Sequence, residues 1–445
     1  MSTTNQVDGV ESIVEYSFPR GHLGHLKPEE EDALKDFKER IENEFYKTGN
    51  VEDEFGYYND ALLLRFLRAR HFNVQDAIAQ FIATEEWRNA NEIDTLYRTI
   101  DLEQYEETRR LVRPIECSEF RKIVLIMILK QYPQWTGRRD RHGIPVYVYE
   151  VKHLDSKTMS AYEKSAIKTH TMAKSDVKTP QKLVRLFALY ENLIRFVMPL
   201  CTVLTDREYP RTPITQTNNI VDISGVSLRM FWNLRAHMQD ASTLATAHYP
   251  ETLGRIFIIG APSFFPTVWG WIKRWFDPIT TSKIFILSHN DMKATLESYI
   301  DPANLPKQYG GELDFEFGQA PVLDPALKDV LKWEGSYTDF PHGPIYWSDK
   351  GDHIEATAVG HVGHNERRDT VCTVQKITQR QSLTNKNVNG DTPGRSPSTK
   401  SELRSDLPIT TTVDELVPVT LSDANSHSPS EVTAAIPSEA QQDQI

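Results

Sequence analysis

The sequence predicts an α/β fold: an all-helical N-terminal unit, then a domain on a sheet with parallel strands, then a disordered tail. Three observations carry this prediction. From Lys27 to about Pro114, apolar side chains recur at helical spacing with no β pattern. From Gly143, short β-branched and aromatic runs alternate with helix-length segments, as in sheets with parallel strands. After about residue 350, Ser, Thr, Asn, Asp and Pro dominate and aromatics vanish.

Residues 1–20 read as a disordered leader, and the helical unit takes 21–114. The run "KPEEEDALKDFKERIENEF" opens on Pro28 and acids, which suit the positive end of a helix. Leu34, Phe37, Ile41 and Phe45 then give one apolar face. Asn59 or Asp60 can cap a second helix holding Leu63, Phe66 and Leu67. A third runs through Val74, Ala77 and Phe81 to Trp87. Strands are expected in "IPVYVYEV" (144–151) and at 218–225, 254–262 and 282–289, with helices at 181–204, 227–246 and 263–276. Their continuous Ile, Phe and Val runs fit strands covered on both faces.

These segments divide the chain into a central domain at 132–316, an extension packing on it at 317–350, and a disordered tail at 351–445. The tail holds too little apolar surface to offset its ordering entropy. Its "RSPS" and "SHSPS" stretches read equally as phosphorylation sites or as plain linker. Residues 115–131 are anomalous. Ile123 to Leu129 is an unbroken apolar run between Lys122 and Lys130, too short to span a bilayer and resembling an aggregation-prone β segment.

Composition narrows the function. A net charge of −12 over 445 residues argues against a general nucleic-acid binder, which needs basic surface to displace counterions. It also argues against membrane adhesion by bulk charge, so any bilayer contact is local and partly apolar. Cys117, Cys201 and Cys372 form no CxxC pair, which fits a reducing compartment. The first residues carry acids where a signal peptide needs basic residues, and no run of about 18 apolar residues is apparent. A cytosolic protein with no membrane span is expected.

Catalytic patterns fail. There is no GxSxG, strand-linked GxGxxG, Gly-rich P-loop or HExxH. "CTVLTDR" (201–207) has the C-x5-R spacing of cysteine phosphatases but no glycine in the loop that would cradle phosphate. His22 and His25 lack a carboxylate or Cys at ligand spacing and read as a polar turn. Asp222 reads as the cap of the next element.

Two features survive. On a helical wheel, Phe264, Val268, Trp271, Ile272 and Trp275 form one stripe, widened by Phe265, Trp269 and Phe276, with Lys273, Arg274 and Asp277 opposite. Core packing explains such a stripe, and so does an interfacial lid over an apolar cavity. Lys283 opens an apolar strand, where its ammonium must reach solvent, an acid or an anion. Glu251 precedes the neighbouring strand and falls at the same sheet end. The pair suits a structural salt bridge or the anchor of a polyol phosphate.

Six ordered blocks carry a resemblance: "LLLRFLRARHFNVQDA", "YPQWTGRRDRHGIPVYVYE", "IVDISGVS", "HYPETLGRIFIIGAPSFF", "FDPITTSKIFIL" and "LPKQYGGEL". Together they resemble the fungal type of Sec14-like phosphatidylinositol transfer proteins, in the CRAL-TRIO superfamily, from about Phe18 to Trp347 and interrupted at 115–131. The resemblance implies a CRAL-TRIO domain in which a mostly parallel sheet floors an apolar lipid pocket, with 263–276 as its gate. It implies that Glu251, Lys283 and Thr280 contact a phosphatidylinositol headgroup, with Arg70 nearby. His71 stands where the family often has a second basic residue. For a second lipid, in the family phosphatidylcholine, it implies Tyr147, Tyr190, Tyr249 and Thr217; Asn219 replaces the second hydroxyl residue.

The resemblance also implies a non-enzymatic monomer with no cofactor beyond its phospholipid ligand. Its partners would be phospholipids, a transient membrane surface and a phosphatidylinositol kinase, with a setting at Golgi or endosomal membranes. A non-transferring lipid sensor, or a carrier of a sterol or tocopherol-like ligand, stays open. In the family the helical unit passes almost directly into "YPQ", so 115–131 reads as a translated intron or a surface hairpin. Physics favours enclosure. Exposing a methylene costs about 0.8 kcal/mol, so a diacyl lipid with on the order of 30 of them faces roughly 20 kcal/mol in water.

Overall fold

The computed structural model describes residues 18–44, 59–106, 132–154, 160, 164, 165, 167, 169–174, 183–275, 278–363 and 365–376. The leader through residue 17, the anomalous segment at 115–131, Phe276, Asp277 and everything after 376 lie outside the described residues.

The helical unit forms as its periodicity predicts. Helix α1 (Pro28–Glu44) buries Leu34, Phe37 and Ile41. Helix α2 (Asp60–Ala69) is capped by Asn59, whose side-chain oxygen accepts the Leu62 N–H at 3.0 Å. Helix α3 (Val74–Ala90) is capped the same way by Asn73. Phe81 packs edge-on against Phe37 and Phe66, at 5.9 and 5.3 Å, which locks the three helices together. Two short helices, α4 (Ile93–Thr99) and α5 (Leu102–Glu106), complete the unit.

The central sheet holds β1 (Gln134–Arg139), β2 (Pro145–Glu150), β3 (Thr217–Asp222), β4 (Leu253–Ile259) and β5 (Ile284–Ile286), in that spatial order. β1 runs antiparallel to β2 and the remaining pairs are parallel. The intervening helices are α6 (Val184–Val203), α7 (Leu228–His248), α8 (Phe265–Ile272), α9 (Pro278–Ser282) and α10 (His289–Tyr299). The two faces of the sheet differ sharply. Val146, Val148, Ile220 and Phe257, each 0% exposed, pack on α10 and the chain that follows it. On the other face, Tyr147, Tyr149, Asn219, Val221, Ile256 and Ile284 are only partly buried, and Ile286 is 41% exposed. Helices α7 and α8 pack over part of that second face through Phe231, Leu234, Phe265 and Val268.

Helix α6 corrects one expectation. Among the described residues it alone is long and apolar enough to cross a membrane, although 61% of that window is buried within the fold. Its charges, Arg185, Glu191 and Arg195, are buried with polar partners, which marks a core helix.

A second correction concerns the tail. Residues 353–362 and 365–375, expected to be disordered, form two long strands. With α11 (Pro325–Val330) leading in, β6 (Lys332–Trp333), β7 (Ile345–Asp349), β8 (His353–Val362) and β9 (Asn365–Gln375) make an antiparallel sheet ordered β6-β9-β8-β7. Its inner face presents Ala356, Ala358, Val371, Cys372 and Val374 to Leu200, Cys201 and Trp347 in one core. Small and β-branched side chains pair well across strands, so order here needs neither aromatics nor bulk. The sheet also grips the helical unit. Tyr97 donates its hydroxyl to the Ile345 carbonyl (2.7 Å) and accepts the Ile345 N–H (3.1 Å), while the His361 N–H reaches the Ile100 carbonyl at 3.1 Å. Gly360 permits this approach: at φ 124°, an added Cβ would lie 2.3 Å from Leu102 Cδ2.

Candidate functional site

The loop between α7 and β4 brings Glu251 to the entrance of β4, and α9 delivers Lys283 to the entrance of β5. Lys283 Nζ donates to Glu251 Oε2 at 3.0 Å and to the Leu253 carbonyl at 3.2 Å. The lysine side chain is 2% exposed and the glutamate 17%. A buried ammonium needs such partners, and the pair meets where the sequence places it. Glu251 also adopts φ 54°, the left-handed region that costs an ordinary residue roughly 1–2 kcal/mol. Arg65 of α2, 3% exposed, braces the turn by donating Nε to the Pro250 carbonyl at 2.9 Å. Sequence reasoning missed Arg65. Its only signal was a charge on the apolar side of "ALLLRFL".

Thr280 is half-buried one turn before Lys283, and its carbonyl accepts the Lys283 N–H at 3.1 Å. Arg70 and His71 are exposed at the C-terminal end of α2, where His71 and Phe72 both take positive φ, 50° and 60°. Among the described residues the ion pair at this end of the sheet is that of Lys283 with Glu251, and Arg70 and His71 are not members of it.

The second set of residues falls into two groups. Tyr147 and Asn219 are direct partners across β2 and β3, and the Asn219 amide donates to Thr217 Oγ1 at 3.2 Å. Tyr190 and Tyr249 stack at 4.5 Å with an 11° interplanar angle, and burial pushes the Tyr190 hydroxyl up to about 12. The Tyr249 hydroxyl donates to Glu191 Oε1 at 2.8 Å. Glu191 in turn accepts from Arg88 Nη1 (2.7 Å) and Arg195 Nε (2.6 Å), and both arginines reach Asp94. Burial alone would raise the Glu191 carboxyl, but the two arginines hold it below the usual carboxylate range. No residue pattern marks this network, since its members come from α3, α4, α6 and the end of α7.

Helix α8 turns Phe265 and Val268, 6% and 1% exposed, toward the sheet, with Phe264 and Trp269 half-buried beside them. Trp271, expected on the Val268 stripe, is 47% exposed instead and meets Trp232 of α7 edge-on at 6.3 Å. A tighter 3-10 turn, Lys273–Trp275, follows α8, so one α-helical wheel does not extend to residue 276. The side chains of Ile272, Trp275 and Phe276 lie outside the described residues.

The phosphatase-like spacing dissolves on inspection. Burial pushes the Cys201 thiol up to about 12, and Arg207 spends its guanidinium on the carbonyls of Cys201, Leu204 and Thr212. Asp222 accepts the Ser224 N–H at 2.8 Å, as a turn cap does. Among the described residues no group of three or more His, Cys, Asp or Glu is placed to hold a metal. A largely apolar, partly buried sheet face with a charged pair at the entrances of its strands is suited to hold an amphiphile.

Comparison with known proteins identifies the family. Residues 33–83 match the CRAL/TRIO N-terminal domain and residues 129–311 the CRAL/TRIO domain, together more than half of the chain. The SEC14 cytosolic factor of Kluyveromyces lactis is 28% identical over 325 residues, covering 73% of this chain and 90% of that protein. The phosphatidylinositol/phosphatidylcholine transfer protein SFH7 of Arabidopsis thaliana is 29% identical over 257 residues, 56% of this chain and 39% of that one. The crystal structure of Sfh5 covers 67% of this chain and 93% of its own, with 15% identity and a TM-score of 0.44. With both domains in order along one helical unit and one sheet, the chain belongs to the CRAL-TRIO family, among its Sec14-like lipid-binding and lipid-transfer proteins.

Proposed function

We propose that the protein binds phosphatidylinositol and a second phospholipid in turn at one pocket and exchanges them between membranes. The observation that carries this is the buried Lys283–Glu251 pair at the rim of the partly buried apolar face. Lys283 supplies a cation for the phosphate, and Glu251 supplies an acceptor for ring hydroxyls. A sterol or tocopherol-like ligand carries no phosphate for Lys283 and no set of ring hydroxyls for Glu251, and so would make no use of the pair. The acyl chains supply most of the binding energy, so headgroup residues need only a few kcal/mol to select. Phosphatidylcholine is the proposed second lipid, met by Tyr147, Tyr190, Tyr249 and Thr217. Exchange of this kind would present phosphatidylinositol to a lipid kinase and support phosphoinositide synthesis and vesicle traffic from the cytoplasmic face of Golgi or endosomal membranes.

The test is mass spectrometry of lipids retained by the purified protein, followed by transfer between donor and acceptor vesicles. Phosphatidylinositol is expected in the wild type and lost in Lys283→Ala. Its absence from the wild type, or equal loading of the variant, overturns the assignment. Retention without transfer between vesicles would identify a sensor.

A further inference from the structure

The loop Phe18–His25 docks on α2 and buries His22, which is 2% exposed. His22 Nδ1 lies 3.1 Å from both the Pro19 and the Arg20 carbonyl oxygens. Both are acceptors, so Nδ1 must carry the proton and Nε2 must be the lone pair. Nε2 is buried and meets no donor among the described residues. A buried polar atom left so is costly and calls for an explanation. Burial, then Arg68, then Lys283 hold the ring neutral, so Nε2 stays an acceptor.

Helix α2 fixes where this acceptor sits. Arg65 donates to the Pro250 carbonyl beside Glu251, and Arg68 donates Nη1 to the Gly21 carbonyl beside His22, at 3.2 Å. Residues three apart are neighbours on one helix face, with Cβ atoms about 5–6 Å apart. The Glu251 turn and the His22 turn are therefore anchored by arginines one turn apart on α2. The acceptor with no partner is thus carried by a turn tied to the same helix as the Glu251 turn, and Lys283 is among the charges that act on its ring.

We propose that His22 Nε2 accepts a hydrogen bond from a ring hydroxyl of the headgroup held by Lys283 and Glu251, and so selects a polyol over choline. This rests on the reading of that pair as a phosphatidylinositol site. Inositol offers several hydroxyl donors, whereas phosphocholine has none and would leave Nε2 unpaired. A site that must pair a buried polar group discriminates strongly against a ligand lacking the matching group.

The experiment loads full-length protein from phosphatidylcholine vesicles containing a minor fraction of phosphatidylinositol and measures the two bound lipids. His22→Leu, which keeps the bulk and removes the acceptor, should lower the bound phosphatidylinositol-to-phosphatidylcholine ratio about tenfold. His22→Gln, whose amide oxygen restores an acceptor, should recover most of that loss. A folded His22→Leu with the wild-type ratio overturns the inference. If His22→Leu does not fold, the 15N resonance of His22 Nε2 in wild-type protein decides. It should move upfield on loading phosphatidylinositol but not phosphatidylcholine, and no difference overturns the inference. A wild type that takes up no phosphatidylinositol at all instead defeats the underlying site, so the two failures are distinct.

Discussion

At the scale of single residues, Lys283 concentrates more consequence than any other position in the site. Its ammonium has been taken out of water and holds both a carboxylate and a backbone carbonyl. Lys283→Ala removes both bonds and leaves Glu251 without its cation while its backbone stays in the left-handed region. Breaking one side of a fully buried pair costs about 3–5 kcal/mol. Glu251 keeps some contact with solvent and can partly rehydrate, so a loss of about 2–3 kcal/mol is expected, read as a lower urea midpoint at unchanged slope. The conservative Lys283→Arg should keep the charge yet fail to restore binding, because a planar guanidinium cannot occupy the compact space of an ammonium. Full phosphatidylinositol loading by Lys283→Arg would show that charge alone suffices. Arg65→Ala should weaken loading too, at one remove, by freeing the Pro250–Glu251 turn. The pairing of Lys283 with Glu251 was legible in the sequence, since both stand at the entrances of adjacent parallel strands. The bracing by Arg65 and the burial of His22 were not, because each is set by bonds to backbone carbonyls that no residue pattern marks.

At the scale of elements, α3, α6 and α7 meet through aromatic stacking and buried charge. Trp87 of α3 stacks on His248 at the end of α7, with centroids 4.2 Å apart and planes 7° from parallel. Burial, reinforced by the nearby Arg88, lowers the His248 imidazole to about 4. An unfolded histidine titrates near pH 6.5. The folded pKa is the lower one, so the folded state favours the neutral ring. That stabilisation is complete above about pH 6.5 and is lost progressively as pH falls toward 4. His248→Phe keeps the stack and removes the titration, so its stability should decline less steeply across that window. Chemical denaturation at a series of pH values measures this, and an unchanged slope would rule His248 out as a contributor. Glu191 behaves likewise at lower pH, because Arg88 and Arg195 depress its carboxyl. Its contribution is present above the unfolded carboxylate range and lost as pH falls below it. The helices themselves were legible from periodicity, with α6 expected at 181–204 and found at Val184–Val203. The π turn at Leu193–Val197 within α6 was not legible. It is held in place by Arg195, whose partners lie on α4 and on the preceding turn of α6.

At the scale of the whole molecule, the second sheet binds the parts into one body. The sequence reading ended the folded chain near residue 350 because aromatics stop there. Yet "IEATAVGHV" and "DTVCTVQ" alternate small or β-branched residues with polar ones, the period-two signature of a strand. The signal was present but weak, because Ala356 and Ala358 supply little hydrophobic bulk while filling their space completely. These strands cover Ile345, Trp347, Leu327 and Leu331, which share their core, and they hold α4 and α5 through Ile100 and Thr99. A chain ending at residue 350 would lose five side chains that are each no more than 1% exposed, Ala356, Ala358, Val371, Cys372 and Val374, and would uncover the tryptophan beneath them. At about 0.8 kcal/mol per buried methylene, with Trp347 and its neighbours newly exposed, the loss reaches on the order of 10 kcal/mol, comparable to the whole stability of a domain. That truncation should therefore be insoluble or unfolded. A chain ending at Lys376 keeps every described strand and should match the full-length protein in thermal midpoint and in lipid loading. Measuring soluble yield, circular dichroism and bound lipid for both truncations settles the matter. A folded, lipid-loaded chain ending at 350 would reduce the second sheet to a dispensable ornament and return the boundary to where composition alone placed it.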